Sequence, residues 1–265
     1  MMFMIQVSMG VNKMDEAKPK IYQWIEEENK VKAPVETPRK TYDERLVAFI
    51  DVLGMREIIR NEENDAEDIL FIMGQLNKYV ESACEDLLVN SRLSYWQLGD
   101  GFIIVTNLDC LDKLCEILSI VQWLVLIDSK MLLRGAVTAG KVIMSEDSKL
   151  IIGPAYIEAF ALESDNAIFP RIIIADEIQQ FISSENITFK YIAEDNDKFK
   201  YIDFLNYIRE VEDLNKVRLE HLLKTQGVLA FLKNSYIASI KKDKRVAQKY
   251  GWIISKITSY NINVV

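Results

Sequence analysis

Histidine and cysteine are scarce in this 265-residue chain, acidic residues outnumber basic ones, and no apolar run is long enough to cross a bilayer. Each shortage excludes something. Cys84, Cys110 and Cys115 form an odd set on apolar helical patterns, without the paired spacing of a zinc site. They read as reduced core residues of a cytoplasmic protein. With 32 basic residues against 40 acidic ones the net charge is −8. That argues against a general nucleic-acid binder, whose affinity rests on neutralising phosphates. The most apolar run, 115–127, is interrupted by Glu116, Ser119 and Gln122, so no membrane span is expected. The opening MMFMIQVSMGV has no basic start and is too short for an export signal. There is no internal repeat and no low-complexity tract.

What is present is apolar: 49% of the residues are hydrophobic, enough for a real core in one large domain or a domain with an appendage. Two stretches organise it, FIDVLGM ending at Met55 and YWQLGDGFIIV beginning at Tyr95. The first reads as a buried strand, 45–52, that stops at Gly54, after which 55–60 begins a helix. The second reads as two strands joined at Asp100-Gly101, a favoured two-residue hairpin turn. A strand end beside a hairpin tip brings Asp51 and Asp100 to one edge of a sheet. Paired carboxylates beside a Gly-containing turn suit divalent metals and a triphosphate. Each half also has a plain reading, Asp-Gly as a turn and a strand-end Asp as a cap.

Around these lie further elements. Residues 1–41 are charge-rich and broken by Pro19, Pro34 and Pro38, and are expected to form a mobile arm with one short helix near 21–30. After a polar loop at 61–65, a helix places Ile69, Ile72, Met73, Leu76, Val80, Ala83 and Leu87 on one stripe. A second helix, 108–127, turns Leu111, Leu114, Cys115, Leu118, Val121 and Val125 inward. A buried strand at 132–138, a turn at Ala139-Gly140 and a return strand at 141–144 follow. After a polar tip at 145–149, Gly153-Pro154 opens a helix, and shorter elements come at 171–175 (strand), 176–183 (helix), 187–193 and 200–205 (strands). From Arg209 the pattern is helical only. Lys233, Lys241, Lys242, Lys244, Arg245 and Lys249 make this part basic, either as a solvated helix face or as an anion-attracting patch. The order predicts an α+β fold: a ferredoxin-like palm over 42–208 and a C-terminal helical appendage over 209–265.

The two Asp stretches, with LLRGAVTAGKVIM, IGPAYIEAFALES and PRIIIADE in that order, resemble the class III nucleotidyl cyclase homology domain. GPAYIEAFALES and the Lys249-Tyr250-Gly251-Trp252 pattern are most similar to the uridylate and cytidylate cyclases of bacterial Pycsar anti-phage systems. The resemblance spans 45–261. It implies a cytoplasmic homodimeric pyrimidine cyclase that makes the 3′,5′-cyclic monophosphate of UTP, or of CTP, for a separate cyclic-nucleotide-responsive effector. Neither stable nucleic-acid binding nor membrane attachment is expected. It also implies two divalent ions, manganese or magnesium, held by Asp51, Asp100 and the Val52 carbonyl. Leu53, Gly54, Met55, Lys141 and Lys200 would bind phosphate, and Ser94 and Leu150 fall at the base-pocket positions. Either lysine also reads as a plain surface charge.

The chain departs from purine-using members. Their helical Asn and Arg fall at Ile157 and Ala161, and their adenine-reading Lys and Asp at Ser94 and Leu150. Tyr95 and Trp96 stand beside Ser94 and narrow the expected base site. Loss of purine readout fits a pyrimidine enzyme; a purine cyclase with unusual base contacts and a catalytically dead dimeric module are the alternatives. Glu158 offers a polar contact or faces solvent. Arg134 orients the site or pairs with a neighbouring carboxylate. His221 lies in the helical part, and no chemical role is expected for it.

Overall fold

Strand β1, Asp43–Leu53, is buried on both faces through its middle, which makes it a central strand. In the computed structural model the described residues are 41–264, apart from 61–64, 91, 146–149 and 185–190. The arm expected over 1–41 therefore lies outside them except for Thr41. The loop expected at 61–65 lies outside them except for Asp65, and most of the tip at 145–149 is likewise outside.

After β1 come helices α1, Met55–Arg60, and α2, Ala66–Val89, and then strands β2, Leu93–Leu98, and β3, Gly101–Thr106. A 3-10 turn at Leu108–Cys110 leads into α3, Leu111–Leu124, which ends in a π turn at Val125–Ser129. Strand β4, Leu132–Ser145, pairs with the short β5, Leu150–Ile152. Next are α4, Pro154–Asn166; β6, Ile172–Ile174; α5, Asp176–Ser184; β7, Ile192–Glu194; and β8, Lys200–Ile202. The chain closes with α6, Phe204–Val211; α7, Lys216–Thr225; α8, Val228–Lys242; and α9, Lys244–Ser259.

The sheet order is β2-β3-β1-β4-β6-β8-β7, with β5 beside β4. Its first four strands are antiparallel neighbours, α2 crosses from β1 to β2, and α3 crosses from β3 to β4. That is the ferredoxin-like arrangement. Leu46, Ala48, Ile50 and Val52 of β1 pack on Leu76, Val80 and Cys84 of α2 and on Leu114, Leu118 and Val121 of α3. Both long helices thus cover one face, as their apolar stripes predict. Val47 and Phe49 point the other way, into Val142, Ala155 and Ala159, so α4 covers the opposite face. The three cysteines are buried free thiols, and burial pushes those of Cys84 and Cys115 up to about 12.

Three expectations need correction. The hairpin turn is Gly99-Asp100, not Asp100-Gly101: Leu98 pairs with Gly101, which is the first residue of β3. Gly99 takes the positive φ of +63° that the first loop position of a two-residue hairpin favours. Ala139-Gly140 is no turn; β4 runs straight through it, with Ala139 opposite Leu46 and Gly140 opposite Arg45. The last strand stops at Ile202, because Asp203 caps α6 by accepting the Asn206 amide, so helix begins before Arg209.

The helical end is not loose. Phe204, Leu205 and Ile208 of α6 join Leu219, Leu223, Val228, Leu232, Ile253, Ile254 and Ile257 in a second core beneath Trp123, Leu126, Ile127 and Leu132. Helix α9 is also tied to the sheet through an acid that balances a buried cation. Arg171 is fully buried and pairs with Asp195 at 2.5 Å and with Asp197. Asp195 also accepts from Trp252 Nε1 at 2.5 Å and from Lys256 Nζ at 3.3 Å.

Gly135 marks where β4 and β1 approach most closely. A Cβ there would lie 2.5 Å from the Phe49 carbonyl oxygen and 2.7 Å from Ile50 Cγ2. Gly135→Ala must therefore push the two central strands apart, at a cost of about 1–3 kcal/mol. A thermal melt should show a midpoint several degrees lower, and an unchanged midpoint would refute the packing described.

Candidate active site

Asp51 is the last β1 residue opposite β3, where it faces Gly101, and on its other side it faces Arg134 of β4. The turn that holds Asp100 immediately precedes Gly101. The register therefore delivers Asp100 to the end of β1 where Asp51 lies, and the two carboxylates repel each other across it. The Gly135 amide points away from β1, to the Arg171 carbonyl. By alternation along the ladder, the amide and carbonyl of Val52 face the β3 side, just where pairing with β3 has ended.

The Asp51 side chain is 20% exposed, and its Oδ2 accepts from Arg134 Nη2 at 3.0 Å and Nε at 3.2 Å. Burial pushes its carboxyl above the usual range and Asp100 pushes the same way; Arg134 and the Val52 amide oppose them. Arg134 has a second acid beside it. Its Nε lies 2.7 Å from Glu163 Oε1, a charge contact without hydrogen-bond geometry, so that among the described residues this oxygen has no hydrogen-bond partner. Glu163 is buried, and burial, with the charges of Asp51 and Asp100, pushes its carboxyl up to about 7 against the pull of Arg134 and Lys249.

Glu163 escaped the sequence reading, which weighed Glu158 instead; Glu158 is exposed. The signal was helical spacing. Ala155, Ala159 and Glu163 follow at four-residue steps and form the buried stripe of α4. Ile157 and Ala161 stand on its exposed side.

Leu53 and Gly54 form the strand-to-helix turn after Val52, with Gly54 at φ +89°. They line a cleft of about 430 Å³ whose other walls are Lys130, Met131 and Leu132 and, from α8 and α9, Phe231, Val246, Lys249 and Tyr250. Met55 starts α1 with its side chain buried.

The other expected site residues lie elsewhere on this chain. Lys141 is exposed in mid-strand opposite Glu44, seven positions along the ladder from the Asp51–Arg134 pair. At about 3.3 Å per residue that is roughly 23 Å. Ser94 pairs with Val105, which faces Val47 in mid-β1, four positions from Asp51 and two strands across, and Leu150 sits exposed on β5 opposite Ser145. Lys200 opens β8, three strands from β1. His221 is exposed on α7.

Among the described residues no group of three or more His, Cys, Asp or Glu forms a self-contained metal cage. The donors that do converge are two carboxylates and an outward-facing backbone carbonyl. That set fits a hard divalent cation that fills its shell with water and phosphate oxygens, as magnesium does. Among the described residues no helix is long and apolar enough to cross a membrane.

No protein-family model matches the chain, and no curated protein matches it. Among solved structures it is similar to the guanylyl cyclase domain of the RhoGC fusion protein from the aquatic fungus Blastocladiella emersonii. The identity is 17% over 60% of this chain and 94% of that one, with a TM-score of 0.48. It is similar to the adenylyl cyclase CyaB from P. aeruginosa at 17% identity, 62% and 95% coverage and a TM-score of 0.44. A bacterial light-regulated adenylyl cyclase gives 14% identity, 74% and 68% coverage and a TM-score of 0.44. Likeness at this level carries no argument about activity; the architecture rests on strand order and register.

Arg134 opposes protonation of both its acids, which sets the sign of a pH effect. A carboxyl whose folded-state pKa is raised holds its proton more tightly folded than unfolded, so stability is lost as pH climbs between the two values. For Glu163 that window runs from 4.5 to about 7, and removing Arg134 raises its upper end. Arg134→Ala should therefore cost more stability at about pH 8 than at about pH 5. Denaturant midpoints of both proteins at the two pH values measure it. A cost independent of pH would contradict the assignment.

Proposed function

We propose that this chain is a nucleotide cyclase that converts a pyrimidine nucleoside triphosphate, UTP ahead of CTP, to its 3′,5′-cyclic monophosphate and pyrophosphate. The observation that carries it is the convergence of Asp51 and Asp100 at one strand end, beside an open carbonyl and a Gly-bearing turn that lines a cleft. In the reaction the ribose 3′ oxygen bonds to the α-phosphorus, the bond from that phosphorus to the bridging oxygen breaks, and the hydroxyl proton leaves to water.

Asp51, Asp100 and the Val52 carbonyl would hold two divalent ions, magnesium or manganese. When bound, these supply a more acidic 3′ hydroxyl and neutralise charge on the departing oxygens. Arg134, braced by Glu163, fixes the Asp51 carboxylate by occupying Oδ2, which leaves Oδ1 for the site. The turn at 53–55 presents backbone to the phosphates.

The similar solved structures are named as purine cyclases; the pyrimidine preference rests on this chain's own residues. Ser94 and Leu150 cannot read adenine as a Lys and an Asp do, and the bulky Trp96 shares the sheet face of Ser94. A homodimer accords with the exposed Leu150, Ile152, Ile157 and Phe160, since apolar side chains gathered on one side of a soluble protein mark contact surfaces. By the same resemblance the product would reach a separate cyclic-nucleotide-responsive effector that halts phage growth.

Two experiments test this. Asp51→Asn and Asp100→Asn keep side-chain shape but remove the charge that holds dications, so each should abolish product while the thermal midpoint stays within a few degrees. Near-normal turnover by Asp100→Asn would rule out the metal assignment. Supplied with equal concentrations of the four ribonucleotides and manganese, the protein should favour pyrimidine products at least tenfold, about 1.4 kcal/mol of transition-state discrimination. A dominant cyclic AMP or cyclic GMP product would end the pyrimidine reading, and no cyclic product at all would end the cyclase reading.

A further inference from the structure

We propose that Lys249 is a phosphate-binding residue of this site, so that the C-terminal helices build the active centre rather than hang from it. The inference rests on the cyclase reading for the identity of its ligand, the polyphosphate of the nucleotide. Its geometry stands apart from that reading.

Lys249 lines the cleft of about 430 Å³ whose facing wall is the Leu53-Gly54 turn, directly beyond Asp51 and Val52. It is partly buried, and among the described residues it makes no hydrogen bond and no ion pair. Burial and the Arg134 charge hold its ammonium below the usual lysine range against the opposing pull of Asp243, Asp51 and Glu163, none of which forms an ion pair with it. A desolvated ammonium without a carboxylate partner is unfavourable. An anion entering the cleft relieves that cost. Arg134 cannot serve in this way, because Asp51 and Glu163 already claim its guanidinium. Lys130, on the same wall, spends a donor on the Ile127 carbonyl. The one carboxylate among the cleft-lining residues is Glu57, across from Lys249 on α1.

The position of Lys249 is also fixed. One turn further along α9, Trp252 is bound to Asp195 and stacks on Phe169, and Lys256 reaches the same Asp195. Asp195 is locked to the buried Arg171. A flexible surface lysine has no such frame. The cation is presented at a defined place over the strand-to-helix turn, where the β- and γ-phosphates of a nucleotide with its α-phosphate near Asp51 and Asp100 would lie.

Lys249→Gln and Lys249→Arg test this, with inorganic pyrophosphate and magnesium as a calorimetric probe beside steady-state kinetics. Lys249→Gln should weaken pyrophosphate binding and raise KM for the triphosphate about tenfold while kcat moves less, and Lys249→Arg should restore most of both. Should Lys249→Gln not fold, Lys249→Met keeps the stem packed and removes the same charge. Pyrophosphate bound equally well by the wild type and the uncharged variant overturns the inference, as does no binding by the wild type. Lys249-dependent pyrophosphate binding in a protein that cyclises none of the four nucleotides would sustain the inference and defeat the cyclase reading. Cyclisation with an unchanged KM in Lys249→Gln would do the reverse.

Discussion

A carboxylate at the end of a strand buried on both faces has to be matched by cations, and Asp51 is in that position. Water reaches it from one side only, and Asp100, brought next to it by the hairpin, adds a second negative charge. The fold answers with Arg134, placed opposite Asp51 by the β1–β4 register. Arg134 then draws in Glu163 from the helix that covers this face. Two acids share one guanidinium, Asp100 adds a third negative charge, and Lys249 lies near without an ion pair, so a divalent ion at the paired aspartates would offset the remaining charge. The same need fixes backbone details. Gly135 lets β4 approach β1 closely next to Arg134, and Gly101 lets the Phe49 ring lie over β3 beside Asp51.

A second charge cluster decides what the C-terminal helices are for. Arg171 has no exposed surface, and breaking a buried pair by removing one partner costs several kcal/mol. Its acids come from the β7–β8 connection, and the same Asp195 holds α9 through Trp252 and Lys256. The palm and the final helix therefore share one hydrogen-bonded unit, reinforced by an apolar core that runs from Trp123 to Ile257. Separating helix from palm would strip Trp252 and Lys256 from Asp195, the acid that balances the buried guanidinium, so the two should open together rather than as independent pieces.

The larger architecture was legible because periodicity carries it. Helical stripes at 69–83 and 111–125 and the continuous apolar run of β3 specify elements whose packing admits only a few arrangements. Glycine read as punctuation held at Gly54 and Gly153 but misled at Gly101 and Gly140. Asp100-Gly101 looked like the turn, yet Gly99 supplies the positive φ and Gly101 the close approach to Phe49. Ala139-Gly140 looked like a second turn, yet small residues there let β4 slide beneath α4, where Thr138 Oγ1 donates to the Ala155 carbonyl. Of the site, the two aspartates were visible because each ends an apolar run. Glu163 was hidden because its importance lies in which face of α4 meets the sheet, a tertiary fact. Lys249 was visible as one of six basic residues and as the start of a Lys-Tyr-Gly-Trp pattern, but its lack of an ion-pair partner appears only once the helices are packed.

Distance along the ladder constrains how the remaining site candidates can act. Lys141 and Asp51 lie on neighbouring strands of one continuous antiparallel pair, roughly 23 Å apart at the rise of a β-strand. No side-chain motion closes such a gap, and bending the ladder would break the pairing of a strand buried through its middle. Ser94 lies four positions along from Asp51 and two strands across, level with Val47, and Leu150 lies beyond Lys141 on β5, opposite Ser145. Lys141 and Leu150 therefore cannot meet the aspartates of their own chain. Under the proposed cyclase reading they would serve a triphosphate only at the aspartates of a second copy, turned so that the far end of one sheet faces the near end of the other. In that arrangement the apolar side chains of α4 and β5 would lie between the copies, and each chain would hold phosphates with its own Lys249 while lending base contacts to its partner.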